Sequence, residues 1–209
     1  MPLHQRINLE EETQFLIWHI DEAEDELLKD LNLSKIDELK FQKKKNTSHR
    51  KEFLAARKLL REAGISPQTL SYSQDGAPQL ESGRQLSISH STKIAGIALG
   101  EKPLGFDLEE YRPKIIKIAP RFLHSKEVFI NQPPFIMEKL TLIWTAKEAL
   151  YKALNQKGII FSQQLCVAPF EWGEKQGSAK VFISDKTHNF SLNFIIEKAY
   201  CGTLATPIN

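Results

Sequence analysis

The order of elements along this 209-residue chain predicts an α+β fold. Three observations lead there. Hydrophobic residues make up 41% of the chain and the formal net charge is +2, the composition of a globular protein with a sizeable core. Apolar residues recur at helical spacing in separate blocks, and segments of strand-like alternation follow each block. Helix, strands, helix, strands then fill two stretches of similar length, without a residue-level repeat. The expected architecture is an α+β protein built twice, with its seam near "GEKPLG" between halves 1–104 and 105–209.

Each element has its own warrant. "QFLIWHI" has the apolar density of a buried strand, and "EAEDELLKDL", with carboxylates first and lysine late, suits a short helix. Ser48 reads as the N-cap of "HRKEFLAARKLLREAG", whose apolar positions 53, 54, 56, 59, 60 and 63 precede a stop at Gly64. Arg50 and Arg57 share one side of that helix. "TLSYSQDGAPQL" reads as strand, turn and strand, and "QLSISHS", "IAGIALG" and "LGFDLEE" as sheet. A second helical block runs from about Lys114 to Leu154, broken at "NQPPF". Strand patterns return in "QQLCVAPF", "SAKVFISD", "FSLNFIIE" and "AYCGTLAT".

Several function classes are disfavoured. The first twenty residues carry Arg6, Glu10, Glu11 and Glu12 and no long apolar run, so neither a signal peptide nor a membrane span is expected, and the expected location is cytoplasmic. Cys166 and Cys201 lack metal-ligand spacing and read as reduced thiols. No GxxxxGK[ST] or GxGxxG loop occurs, which argues against the ordinary nucleotide-binding folds. Lys40 to Arg61 holds nine lysines and arginines, either a solvated helix face or a surface for a polyanion. Nucleic acid ranks last as that polyanion, because aromatics are not interleaved.

The chemistry concentrates in three segments. In "WTAKEALYKAL", at about 100° per residue, Ile143, Ala146, Leu150, Ala153 and Leu154 form an apolar stripe, and Trp144, Lys147, Glu148, Tyr151 and Lys152 fall on the other side. In "GFDLEE", Asp107 and Glu109 share a strand face about 7 Å apart. That pair suits one hard cation such as Mg²⁺ together with waters and phosphate oxygens, and equally suits a half-exposed strand with an acidic side. His90 closes a strand among Ser87, Ser89 and Ser91, whose hydroxyls are donors for a phosphate. Together, Asp107 and Glu109 offer metal ligands, Lys147, Lys152, Arg57 and His90 offer positive charge, and Glu148 suits either the metal or a proton transfer. This is the inventory of phosphoryl-group chemistry.

These segments resemble motifs of the 4'-phosphopantetheinyl transferases, specifically the long, two-half bacterial type that includes the surfactin-synthetase-activating enzyme. The matching stretches, in order, are "HRKEFLAARKLL", "DGAPQL", "LSISHS", "GFDLEE", "RFLHSKE" and "WTAKEALYK". Ala77 stands where the family has a basic residue, and Ser87 where it often has asparagine. The resemblance implies a pseudo-twofold fold, each half a small antiparallel sheet packed with helices, with a coenzyme A cleft between the halves, and transfer of the phosphopantetheine arm to a serine of an acidic apo carrier protein, acyl or peptidyl, with release of adenosine 3',5'-bisphosphate. It implies Mg²⁺ on Asp107, Glu109 and Glu148; Glu148, directly or through a metal-bound water, then suits acceptance of the serine proton and Lys152 donation toward the departing phosphate. Coenzyme A contacts are implied for Arg50, Arg57, Pro78, Ser89, His90, Lys147 and Lys152. A duplicated chain completes its cleft alone, so a monomer is expected. The alternative is a catalytically silent module binding coenzyme A or carrier protein, which has no physical need for the metal carboxylates.

Overall fold

A computed structural model describes residues 3–9, 12–131 and 133–208. Glu10 and Glu11 of the acidic N-terminal stretch, and Gln132 of the expected helix break, lie outside the described residues. The chain divides into two compact units, Met1–Lys102 and Pro103–Asn209. Each is a mixture of helices and antiparallel sheet, the predicted α+β class. Among the described residues no helix is long and apolar enough to cross a membrane.

The first unit opens with the hairpin β1 (Leu3–Asn8) and β2 (Gln14–His19), followed by α1 (Glu24–Leu28), α2 (Lys35–Gln42) and α3 (Thr47–Glu62). The short β3 (Leu70–Tyr72) and β4 (Pro78–Leu80) then pair with each other, and β5 (Gln85–Ser91) and β6 (Ile94–Gly100) complete a sheet of order β1-β2-β6-β5. Leu54, Leu59 and Leu60 of α3 share one core with Leu16, Trp18, Ile97 and Leu99 of the sheet. The helix is capped by Asn46, not by Ser48: the Asn46 side-chain oxygen accepts from the Ser48 and His49 amides at 2.8 and 3.4 Å. Neither β1 nor α2 is apparent in the sequence. The strand alternates weakly, and α2 leaves its Ile36 and Leu39 exposed, so no apolar stripe marks it.

The second unit runs β7 (Gly105–Glu110), α4 (Lys114–Ile118), α5 (Ile136–Leu154), α6 (Phe161–Gln164), β8 (Leu165–Val167), β9 (Gln176–Ile183), β10 (Lys186–Ile196) and β11 (Tyr200–Pro207). Its strands pair antiparallel in the order β7-β11-β10-β9-β8. The helical block expected from Lys114 is broken at "NQPPF" as the sequence predicts, but its first part stops early, at Ile118. Pro120 ends α4, 3-10 turns at Ala119–Arg121 and Val128–Asn131 fill the interval, and the Pro133–Pro134 pair precedes α5.

α5 lies on β7 and β11. It is enclosed over more of its circumference than a one-sided stripe allows: Thr141, Thr145 and Lys147 are buried along with Leu142, Ile143, Ala146, Ala149 and Leu150. Gly105 permits the close approach to β7. A Cβ there would overlap the Ala149 carbonyl oxygen and sit 2.6 Å from the Ala153 amide nitrogen. The Thr145 and Thr203 hydroxyls meet at 2.9 Å, fixing α5 on β11.

Candidate functional site

On β7 the side chains alternate as a strand requires, but neither face is open. Phe106 and Leu108 are fully buried, and Asp107, 5% exposed, and the half-buried Glu109 lie on the opposite face. Antiparallel register sets Asp107 beside Thr203 and Glu109 beside Cys201 of β11. Trp144, Glu148 and Lys152 follow one another at four-residue intervals along α5, one face of the helix. Lys152 joins that face to the strand: its ammonium donates to Asp107 Oδ1 at 2.7 Å and to the Phe106 carbonyl at 2.9 Å.

Asp107 acts on both glutamates of this region. Burial, reinforced by the negative charge of Asp107, pushes Glu109 up to about 7, opposed by Arg112, by a hydrogen bond from Trp144 and by Lys152. Burial and the Asp107 charge likewise push Glu148 up to about 7, with Lys152 opposing. Asp107 is thus the common neighbour of two glutamates from different elements. Trp144 does more than pack: it meets Phe122 and Phe161 at ring separations of 5.2 and 5.8 Å while its indole N–H serves Glu109.

Asp107 raises the proton affinity of both Glu109 and Glu148, and the three carboxyl groups offer hard oxygens with Lys152 as the nearest cation, a donor set that fits a divalent cation of the magnesium type in chemistry. In position the set is less complete. Among the described residues no group of three or more His, Cys, Asp or Glu side chains is gathered as a metal cage. Magnesium ordinarily keeps waters and substrate phosphate oxygens and needs only one or two protein carboxylates, so a closed cage is not a requirement.

Lys147, expected on the outward stripe, is wholly buried. Its ammonium lies 2.8 Å from Glu127 and donates to the carbonyls of Phe122 at 2.6 Å and Leu165 at 2.9 Å. Burial pushes its pKa down, and the Glu127 charge opposes. Glu127 in turn accepts from the backbone amides of Val167 and His124 at 2.8 and 2.7 Å. The pair ties α5 to β8 and to the segment after α4. The glutamate of "RFLHSKE" was visible in the sequence, but nothing there named Lys147 as its partner.

In the first unit, Arg57 is also internal. Its guanidinium grips both oxygens of Asp37 on α2, at 2.6 and 3.0 Å, donates to the Tyr72 hydroxyl and lies 3.8 Å over the Phe53 ring. Arg50 makes a partly exposed two-point contact with Glu24 at 2.6 and 2.7 Å. Pro78 is half-buried in β4. On β5, Ser87, Ser89 and Ser91 are buried at 4, 5 and 7% exposure, while His90 is exposed and its Nδ1 lies 3.0 Å from Glu52 of α3. Asp37, Tyr72 and Glu52 carry no motif that picks them out of the sequence. Their pairing depends on how α2, α3 and the sheet pack.

Comparison with known proteins adds one finding. Residues 103–205, spanning β7 to β11 and including Asp107, Glu109, Glu127, Lys147, Glu148 and Lys152, match the family model described as the 4'-phosphopantetheinyl transferase superfamily. No curated protein matches the chain.

Proposed function

From the premise that the chain belongs, through residues 103–205, to the 4'-phosphopantetheinyl transferase superfamily, we propose that it moves the phosphopantetheine arm of coenzyme A onto a serine of an apo acyl or peptidyl carrier protein, with Mg²⁺ as cofactor. The observation that supports this most is the meeting of β7 and α5, where Asp107 acts electrostatically on both Glu109 and Glu148 and is paired with Lys152.

In the reaction the serine Oγ forms a bond to the β-phosphorus of coenzyme A, the bridging P–O bond breaks, and adenosine 3',5'-bisphosphate departs. Magnesium, held by Asp107, Glu109 and Glu148, would supply positive charge to the diphosphate oxygens. Glu148, with a proton affinity near neutrality, accepts the serine proton. Lys152 donates toward the departing phosphate and offsets its growing charge. Lys147 acts from inside the unit, through Glu127, by fixing the helix that carries Glu148 and Lys152. Arg57 plays the same part for α3, and Arg50, Pro78, Ser89 and His90 serve the adenosine and 3'-phosphate end. Lys43 and Lys45, exposed at the end of α2, give an acidic carrier a complementary charge.

Mass spectrometry of an apo carrier protein incubated with the chain, coenzyme A and Mg²⁺ tests the reading. The carrier gains one phosphopantetheinyl mass on its serine. No gain across acyl and peptidyl carriers would leave a binding module that does no chemistry.

A further inference from the structure

His90 is held by another element. Its Nδ1 lies 3.0 Å from Glu52 Oε2 on α3. The other Glu52 oxygen accepts from the Ser48 hydroxyl at 2.9 Å. Asn46 caps α3, which leaves the Ser48 hydroxyl available for Glu52 one turn later. The Glu52 side chain is 7% exposed and that of His90 43%, so a buried, braced carboxylate stands behind a surface imidazole.

That arrangement has a chemical consequence. A carboxylate at Nδ1 keeps a proton on that nitrogen and favours the imidazolium, whose Nε2–H, on the opposite ring edge, is then a charged donor. The Glu52 contact, braced by Ser48 one turn earlier on the same helix, also sets the ring's orientation in advance of any ligand, so less ordering remains when an anion arrives. A buried carboxylate is costly unless paired, and Glu52 has both the hydroxyl and the imidazole.

We propose that Glu52 is a positioning residue that charges and aims His90 toward an anionic group of the donor substrate. This rests on the proposed function, in which that group is the 3'-phosphate of coenzyme A.

The test uses Glu52→Gln, which keeps the shape and the bond to Ser48 and removes the charge. Two readouts separate positioning from simple support of the fold. In the ligand-free chain, the His90 titration midpoint followed by NMR falls by about one pH unit in the variant. In transfer assays, the KM for coenzyme A rises about tenfold, a penalty absent with 3'-dephospho-coenzyme A. Ser48→Ala, which keeps the charge and loosens the brace, gives the same selectivity at smaller size. An unchanged His90 midpoint, or an equal loss with both donors, would overturn the proposal. Should the parent chain transfer nothing, the proposed reaction fails and the titration still decides the Glu52–His90 link. Calorimetric binding of adenosine 3',5'-bisphosphate against adenosine 5'-monophosphate then replaces the KM comparison, and equal binding of the two by the parent would also overturn it.

Discussion

The ammonium of Lys152 lies 2.7 Å from Asp107 Oδ1, so the last turn of α5 is tied by charge to the middle of β7. Lys152→Met removes that tie and the proposed proton donor together. The expected result is a fall in kcat of about 10²–10⁴-fold, the usual size of a general acid's contribution. The lysine side chain is 28% exposed but that of Asp107 only 7%, so the variant leaves a buried carboxylate without its counterion and should also unfold at a lower temperature than the parent. Steady-state transfer kinetics beside a thermal melt check both, and a kcat within threefold of the parent removes Lys152 from the mechanism.

Raised carboxyl groups make stability depend on pH in a definite sense. Glu109 and Glu148, ordinarily near 4.5, are held at about 7 in the fold, so the folded state binds their protons more tightly than the unfolded chain does. Their contribution is fully present below about pH 4.5 and is lost as pH rises through about 7. Divalent cation binds the ionised groups and offsets the loss. Melts with and without Mg²⁺ should therefore show little metal effect near pH 5 and a clear rise in Tm near pH 8. A metal effect that is larger at the lower pH contradicts this assignment.

Lys147 and Glu127 make the opposite kind of pair, completely buried at 2.8 Å. Lys147→Met leaves a charge without its counterion, and a loss of about 3–5 kcal/mol is expected by urea unfolding. A Lys147→Met/Glu127→Leu double variant recovers only part of it, because the Val167 and His124 amides lose their acceptor. A Lys147 variant of parental stability with a raised KM for coenzyme A would show that the lysine meets the substrate directly.

Gly105 sets the spacing of the strand and helix that carry the site. With the Ala149 carbonyl in the way of any Cβ, Gly105→Ala forces α5 away from β7 and costs about 1–3 kcal/mol, with transfer activity falling further than stability alone explains. Denaturation midpoints and activity at a temperature well below the melt separate the two effects. A variant as stable and active as the parent would mean that the contact yields without consequence.

The α+β order was legible because long apolar patterns such as "FLAARKLL" and "IAGIALG" report their own secondary structure. Short elements were not. β1 and α2 lack a strong periodic face, and their positions are set by pairing with β2 and by the Asp37–Arg57 contact across residues distant in sequence. The same limit applies to charge. The basic stretch after Lys40 reads as one surface, but Arg50 and Arg57 bind carboxylates, and Lys58 and Arg61 donate to the carbonyls of Lys29 and Asp30 at the end of α1. Residue type and helical phase were visible for Lys147 and Trp144. What surrounds them was not, because the loop that supplies Phe122 and Glu127 has no pattern that tells where it packs.

The most direct test of the shared-cation claim is a Mn²⁺ titration of the chain with coenzyme A, followed by electron paramagnetic resonance. One ion should bind per chain, and Asp107→Asn, Glu109→Gln and Glu148→Gln should each weaken it by about tenfold or more. Binding left unchanged by all of these substitutions would contradict the account.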